Sequence, residues 1–298
     1  MQFFGCITAL ATPFTRAGAL DLDSFRRLLD QQLAGGVQAL VVAGSTGEAA
    51  ALSHAEYADL LHCAVAHVGG RVPLLAGTGQ SSTERTIEQT RRALDCGVAA
   101  ALVVTPPYVR PTQDGMYAHY VAVAERGGLP VVLYNVPSRT GVDLEPATVA
   151  RLLDCAGIVG IKEAKADAER MRALLALKRA GFSVLSGDDP TAAAAMLAGA
   201  DGVISVASNP LPASMRRLCD LACSGRTEVA MKLHADLAEL FDALGVEPNP
   251  IPVKALLAEL GLIENVLRLP LLSLSEAPRA NLRRWAERVR ALEAAAAA

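Results

Sequence analysis

Three short runs decide the fold: VQALVVAG at 37–44, VPLLAGTG at 72–79 and AAALVVTP at 99–106. Each run is continuously apolar and ends in small or turn-forming residues, which is typical of parallel strands covered on both faces. Five further runs of this kind occur, at 6–13, 129–136, 158–164, 182–188 and 202–208. Segments with helical spacing separate the runs. Eight strand–helix units predict a closed (β/α)8 TIM barrel.

An open, doubly wound sheet is the alternative to a barrel. Such a sheet usually carries a glycine-rich phosphate loop after its first strand, whereas the first run here ends in ATPF at 11–14. The Gly77-Thr78-Gly79 stretch has Ser82 where the dinucleotide fingerprint requires its third glycine. Beyond about residue 224 the periodicity is helical only. We therefore predict a barrel over residues 1–224 and a C-terminal helical domain over residues 225–298.

The composition restricts the class of protein. The chain has 298 residues, of which 52% are hydrophobic, 20% charged and 4% aromatic, so it has an aliphatic core and is not disordered. Its 28 basic and 31 acidic residues leave a net charge of −3, which argues against nucleic acid or an anionic membrane as the main partner. No apolar run approaches the roughly 18 residues that span a bilayer, and the first residues lack signal-peptide character. These features predict a cytoplasmic location.

The cysteines and histidines do not indicate a metal site. The six cysteines are scattered without a CxxC pair, which predicts free thiols in a reducing compartment. None of the five histidines falls at the end of a predicted strand, and no phosphate-binding loop is present. We therefore predict neither a metal nor a bound cofactor.

Lys162 is the unusual residue at the strand ends, where the active site of such a barrel lies. Burial of its ammonium would lower its pKa and make a neutral amine available to form a Schiff base with a carbonyl. Tyr134, at the end of the preceding run, could relay protons to and from that imine. Each residue also has a purely structural interpretation. Lys162 could pair with a carboxylate such as that of Asp188, or its side chain could extend out of the strand end. Tyr134 could be an ordinary core residue.

Ser45 and Thr46 lie between glycines after the second run. As turn residues they would only cap the chain reversal. As functional residues, their hydroxyls and the neighbouring N–H groups would form a nest that binds a carboxylate. The sequence leaves both interpretations open.

With these residues the chain resembles the dihydrodipicolinate synthases, in the pyruvate-dependent class I aldolase superfamily that also contains N-acetylneuraminate lyase. The resemblance covers nearly the whole chain. The matching stretches are GSTGE (44–48), AGTGQSSTERTI (76–87), TPPYVRPTQDGMYAHY (105–120), YNVPSRTG (134–141), GIKEA (160–164), SGDD (186–189), GVISV (202–206) and NPIPVKALL (249–257).

The resemblance implies catalytic roles for four residues. Lys162 would form the Schiff base with pyruvate, and Tyr134 would transfer protons during imine and enamine formation. Ser45 would link Tyr134 to Tyr108, which in the family reaches the neighbouring subunit's site across a tight dimer. The family usually has threonine where this chain has Ser45, but the hydroxyl is retained.

The resemblance also implies binding roles for four residues. Thr46 would help bind the pyruvate carboxylate, in a pocket that Gly187 and Ile204 also line. Arg139 resembles the synthase residue that holds the carboxylate of aspartate semialdehyde, and a guanidinium suits that task because it binds a carboxylate through two parallel hydrogen bonds. The sialic-acid lyases lack an arginine at this position.

The implied reaction is a Schiff-base condensation of pyruvate with L-aspartate 4-semialdehyde followed by cyclisation, in lysine and diaminopimelate biosynthesis. It needs no cofactor, and the resemblance implies a homo-oligomer that is a dimer of dimers. One alternative is another pyruvate-dependent aldolase or hydro-lyase that acts on a sugar acid or a keto acid. Another is a non-catalytic binding or regulatory protein built on the same scaffold.

Feedback inhibition by lysine is predicted to be weak or absent. At the positions where lysine inhibits sensitive synthases, His54 is retained but Tyr57, Ser81 and Pro107 replace the usual residues. Arg85 stands where an acidic residue would meet the ammonium of the inhibitor. Such an unfavourable pair of unit charges costs about 1–4 kcal/mol near a protein surface.

Overall fold

The computed structural model describes residues 2–297. Eight parallel strands follow one another around a closed barrel in chain order, which confirms the predicted fold class. Pairing of the first strand with the last closes the barrel. The strands are β1 (Gly5–Ala9), β2 (Ala39–Val42), β3 (Leu74–Gly77), β4 (Ala100–Val104), β5 (Val131–Asn135), β6 (Ile158–Glu163), β7 (Ser183–Ser186) and β8 (Gly202–Ser205).

Helices connect successive strands and cover the outside of the barrel. A capping box fixes the start of one of them, where the Ser53 hydroxyl accepts the Glu56 N–H and the Glu56 carboxylate accepts the Ser53 N–H. The barrel helices are α1 (Leu22–Ala34), α2 (His54–Val68), α3 (Thr83–Asp95), α4 (Gln113–Gly127), α5 (Pro137–Thr140), α6 (Pro146–Leu152), α7 (Ala168–Leu175), α8 (Asp189–Leu197) and α9 (Pro212–Cys223).

Two apolar layers hold the barrel together. The inner layer fills the barrel itself and includes Ile7, Val41 and Leu185, all fully buried. The outer layer joins the other strand faces to the helices. The strands β1 and β8 approach so closely that a Cβ on Gly202 would lie 2.1 Å from the carbonyl oxygen of Gly5, so only glycine fits there.

The chain after α9 is helical, with α10 (Thr227–Gly245), α11 (Ile251–Glu259), α12 (Glu276–Arg279) and α13 (Leu282–Ala297). Helix α10 packs on α8 and α9, and α13 packs on α9 and α11, so this region shares the outer apolar layer. The division proposed after residue 224 falls in the turn between α9 and α10, and it stays a prediction. Within residues 2–297, no helix combines the length and apolar character needed to cross a membrane.

Candidate active site

A cavity of about 810 Å³ opens where the strands end. Its walls come from the segments that follow most strands and from two stretches of the C-terminal region, 241–250 and 268–271. This is the end of the barrel where active sites are built. Six of the eight predicted catalytic and binding residues line it: Ser45, Thr46, Tyr134, Arg139, Lys162 and Gly187.

Lys162 and Tyr134 face each other inside this cavity. They are directly paired in the ladder between β6 and β5, so their side chains leave the sheet on the same face. The Nζ atom of Lys162 lies 4.3 Å from the centroid of the Tyr134 ring. The two residues are only 4% and 7% exposed. A primary amine thus sits next to a phenol and largely away from bulk water, an arrangement suited to proton transfer at an imine.

Gly187, at the end of β7, provides room for the lysine. A Cβ on this residue would lie 2.8 Å from Cε of Lys162 and 2.9 Å from Cβ of Ala164. Both distances are below normal contact, so a side chain at position 187 and the observed Lys162 conformation exclude each other.

The loop after β2 is held by the C-terminal region. The Asn249 amide donates to the Thr46 hydroxyl at 2.9 Å. Glu48, in a left-handed backbone conformation, pairs with Lys254 of α11 at 2.5 Å, and both side chains are at most 1% exposed. The Arg268 N–H donates to the other Glu48 oxygen at 3.0 Å. Burial lowers the pKa of Lys254, although the Glu48 carboxylate opposes this shift.

Arg139 is exposed in the short helix α5 at the mouth of the cavity. Its Nη2 atom donates to the main-chain oxygen of Asn249 at 2.9 Å. Asn249 therefore contacts Thr46 through its side chain and Arg139 through its backbone. The two residues expected to bind two different substrate carboxylates are thus tied to one C-terminal residue.

Three predicted catalytic or binding residues lack the contacts that were expected of them in the cavity. Tyr108 is 91% exposed, with φ at +73°, and does not line the cavity of its own chain. Ile204 is fully buried in the inner layer of the barrel. Ser45 lines the cavity, but in the part of the chain that the structure describes no hydrogen bond joins it to Tyr134 or Tyr108. The hydroxyl relay and the contact of Tyr108 with a neighbouring subunit stay predictions.

Three of the five positions linked to lysine inhibition line the same cavity, and His54 and Arg85 do not. Tyr57 is buried, and its hydroxyl donates to the main-chain oxygen of Gly77 at 3.0 Å. Ser81 donates to the main-chain oxygen of Pro107 at 3.0 Å. Tyr57, Ser81 and Pro107 line the cavity, and Arg85 is exposed on α3.

Five polar side chains form one hydrogen-bonded group behind β5 and β6, on the outer face of the barrel: Asn135, Asp143, Glu163, Lys165 and Arg170. We call this group the rear cluster. The Asn135 amide donates to the Glu163 carboxylate at 3.0 and 3.1 Å and to Asp143 at 2.8 Å. Asp143 also pairs with Arg170 and, at 3.2 Å, with Lys165. Burial raises the pKa of Glu163 to about 7, although hydrogen bonds from Lys165 and Asn135 oppose this shift.

Asp189 is a further acidic residue that the sequence did not single out as functional. The residue lines the cavity, and its carboxylate accepts hydrogen bonds from the N–H groups of Val206 and Ala207 at 3.0 and 2.8 Å. Burial raises its pKa. Its place in the SGDD stretch after a predicted strand is a signal that could have identified it, whereas nothing near Asn249 or Lys254 in the sequence indicates their partners.

The residues present supply an amine, a phenol, hydroxyl groups and a guanidinium, which together suit carbonyl chemistry on carboxylated substrates. Among residues 2–297, no group of three or more histidine, cysteine, aspartate or glutamate side chains is arranged to hold a metal ion.

Comparison with known proteins is consistent with this chemistry. A model of the dihydrodipicolinate synthetase family matches residues 2–289. The 4-hydroxy-tetrahydrodipicolinate synthase of Xanthomonas axonopodis pv. citri (strain 306) is 63% identical over 294 residues, which are 99% of this chain and 97% of the relative. That of Acidithiobacillus ferrooxidans (strain ATCC 23270) is 46% identical over 282 residues, which are 95% of this chain and 97% of the relative.

Solved structures agree with the sequence relatives. The chloride-inhibited dihydrodipicolinate synthase from Acinetobacter baumannii, in complex with pyruvate, superposes with a TM-score of 0.94 at 43% identity, over 96% of this chain and 99% of that one. A protein described as the first monomeric dihydrodipicolinate synthase variant gives a TM-score of 0.94 at 44% identity, over 97% of each chain. With a family model and close relatives that span almost its whole length, the chain belongs to the dihydrodipicolinate synthetase family.

Proposed function

We propose that this chain is a 4-hydroxy-tetrahydrodipicolinate synthase, a lyase-type, pyruvate-dependent aldolase of lysine and diaminopimelate biosynthesis. The observation that carries the proposal is the buried amine of Lys162, 4.3 Å from the Tyr134 ring in a cavity that Arg139 also lines. The relatives named for this activity, one of them 63% identical over 99% of the chain, support the same reaction.

The first half of the reaction activates pyruvate. The amine of Lys162 attacks the keto carbon of pyruvate, and loss of water from the resulting carbinolamine gives the imine. Tyr134 transfers the protons that this dehydration requires and then accepts one from the methyl group as the enamine forms. Thr46 binds the pyruvate carboxylate with Gly187 beside it, whereas Ile204 belongs to the buried apolar layer of the barrel. No cofactor takes part, because the protonated imine itself is the electron sink.

The second half joins the two substrates. The enamine carbon attacks the aldehyde of L-aspartate 4-semialdehyde, whose carboxylate is bound by Arg139. The amino group of the joined intermediate then attacks the imine carbon and displaces Lys162, which closes the ring and frees the enzyme. One water molecule is released overall, in the first imine-forming step.

Tyr108 and the assembly belong to the same proposal. The Tyr108 side chain is 91% exposed in the single chain, so it is available to a neighbouring subunit, where it would continue the relay from Tyr134 through Ser45. This supports a homo-oligomer, and we propose a dimer of dimers. A cytoplasmic location follows from the proposed biosynthetic role and suits the six free cysteines.

Borohydride reduction in the presence of pyruvate tests the Schiff base. Peptide mass spectrometry is expected to find the reduced adduct on Lys162, and Lys162→Arg is expected to abolish it. The matched control is Lys232→Arg, at an exposed position of α10, which should trap pyruvate normally. Absence of an adduct on Lys162 in the unaltered protein would refute the proposal.

Arg139→Ala distinguishes this function from that of another pyruvate-dependent aldolase. The substitution is expected to lower turnover of aspartate semialdehyde by about 10²-fold or more, since a charge-assisted pair of about 1.5–3 kcal/mol and the orientation it gives are both lost. Pyruvate trapping should stay near normal. Arg172→Ala, at an exposed position of α7, is the matched control. Unchanged turnover in Arg139→Ala would refute the role of Arg139 in binding this carboxylate. Failure of the unaltered protein to turn over aspartate semialdehyde would favour a sugar acid or a keto acid as the substrate.

A further inference from the structure

We propose that Asn135 and Glu163 of the rear cluster are positioning residues, which hold the Lys162 amine against Tyr134 by joining the ends of β5 and β6 from the outer face. The inference rests on the proposed function, because it concerns the geometry of the proposed Schiff-base lysine. Neither residue contacts the cavity, so they act through the strands and not on the substrate.

The strand register supports this role. Asn135 and Glu163 are a directly paired couple, one residue beyond the pair formed by Tyr134 and Lys162. Because side chains alternate along a strand, one couple points into the barrel and the other points out. The register between the strands shifts near the start of β5, so the alignment at that end does not set the alignment of the catalytic couple. The side-chain bonds of 3.0 and 3.1 Å between Asn135 and Glu163 fasten the strands beside it.

The same two residues also organise the chain that leaves each strand. The Glu163 carboxylate accepts the Lys165 N–H at 2.8 Å. The Asn135 side-chain oxygen accepts the Leu144 N–H at 2.9 Å, and Arg170 donates to the Leu144 carbonyl at 2.8 Å. Every hydrogen-bonding atom of the Asn135 amide and both oxygens of Glu163 are therefore committed, which leaves the two strand ends little freedom to move apart.

Burial makes a purely stabilising role a poor explanation. Asn135 and Glu163 are at most 1% exposed. Buried charged groups cost several kcal/mol to desolvate, and apolar side chains of similar size would often stabilise the fold at least as well. What an apolar pair cannot provide is a fixed, directional link between two strands. Glu163 also connects to the pocket through its main chain, since its carbonyl accepts the Gly187 N–H at 2.7 Å.

Asn135→Asp tests the inference because it keeps the shape and replaces a donor by an acceptor. The new carboxylate would face the carboxylates of Glu163 and Asp143 at about 3 Å, with Lys165 and Arg170 as the nearby cations. We expect kcat to fall by about 10- to 100-fold, the loss that follows a displacement of about 1 Å at the reacting amine. The pyruvate KM should stay within about threefold. As the pH falls from about 8 to 6, the kcat of the variant should rise relative to that of the unaltered protein. At the lower pH the facing carboxylates share a proton, which relieves their mutual repulsion.

The double variant Asn135→Asp, Glu163→Gln again places one hydrogen-bond donor opposite one acceptor. Its kcat should be at least about fivefold higher than that of Asn135→Asp alone. Asn281→Asp, at an exposed position just before α13, is the matched control and should behave like the unaltered protein. If Asn135→Asp does not fold, Glu163→Gln alone replaces it, with an expected fall in kcat of at least about threefold.

Borohydride trapping on the unaltered protein separates the two proposals. If the unaltered protein forms no adduct on Lys162, the proposed function fails. If it forms the adduct and Asn135→Asp retains kcat within about twofold, or loses only thermal stability, the positioning role is refuted. The same holds if Glu163→Gln serves as the test and retains kcat within about twofold.

Discussion

Gly187→Ala tests how closely the lysine is fitted into its pocket. The added Cβ would lie 2.8 Å from Cε of Lys162 and 2.9 Å from Cβ of Ala164. Carbon atoms in ordinary contact are about 3.5–4.0 Å apart, so the lysine chain must move by about 0.7–1.2 Å. The backbone at Gly187 does not have the positive φ that would itself disfavour alanine. The substitution therefore perturbs the packing around Lys162 and Ala164 without straining the backbone at position 187.

The two consequences of this movement differ in size. The lysine chain is flexible, so overpacking should lower the free energy of unfolding by only about 1–3 kcal/mol. A displacement of about 1 Å at a reacting group costs on the order of 10²-fold in rate. We therefore expect borohydride trapping of pyruvate, followed by intact-protein mass spectrometry in single-turnover mode, to slow by about 100-fold. Urea denaturation of the same samples measures the change in stability.

Gly115→Ala is the matched control for this experiment. Gly115 is exposed in the first turn of α4, where the nearest atom to an added Cβ is 3.3 Å away on the Pro111 side chain. This variant should trap pyruvate at the normal rate. A trapping rate for Gly187→Ala within about threefold of the unaltered protein would refute the argument that Gly187 sets the position of the lysine.

Three further predictions concern stability and regulation. Lys254→Met leaves the Glu48 carboxylate buried without its counter-ion, and urea denaturation should show a loss of about 3–5 kcal/mol that Glu48→Gln in the same chain partly reverses; a loss below about 1 kcal/mol would contradict this. Because burial raises the pKa of Glu163 from 4.5 to about 7, the unfolded chain ionises first as pH rises, and the free energy of unfolding should fall between those values by up to about 3 kcal/mol. Urea denaturation at several pH values should show that the free energy of unfolding of Glu163→Gln lacks this fall. Parallel curves of unfolding free energy against pH for the variant and the unaltered protein would refute the prediction. In a steady-state assay, L-lysine should inhibit weakly or not at all, since Arg85 repels its ammonium and Tyr57 is buried with its hydroxyl already bonded; a submillimolar inhibition constant would overturn this expectation.

The sequence was sufficient to predict the barrel and the proximity of Lys162 and Tyr134, for physical reasons. Continuous apolar runs at regular spacing fit few structures other than parallel strands that are covered on both faces. Once strands are assigned, their ends meet at one edge, so Lys162 and Tyr134 had to lie close together. Short-range rules of this kind need no knowledge of distant partners.

The contacts that the sequence did not predict join residues far apart in the chain. The partner of Glu48 is 206 positions away, and that of Thr46 is 203 positions away. Lys254 lies within an apolar helix, and no local pattern tells which carboxylate it meets. The orientation of Tyr108 depends on a backbone with positive φ at a residue that is not glycine, which composition and spacing do not encode.

The pair formed by Glu48 and Lys254 has a consequence for the order in which the enzyme matures during synthesis. The last barrel strand ends at Ser205, so Lys254 is made about 50 residues later, or about 3 to 10 s at ordinary rates of elongation. Through that interval a nascent barrel can close while Glu48 remains hydrated and the loop that carries Thr46 lacks its C-terminal support. We expect the proposed active site to be the last part of the barrel to reach its final form, and its assembly to depend on α11 emerging from the ribosome.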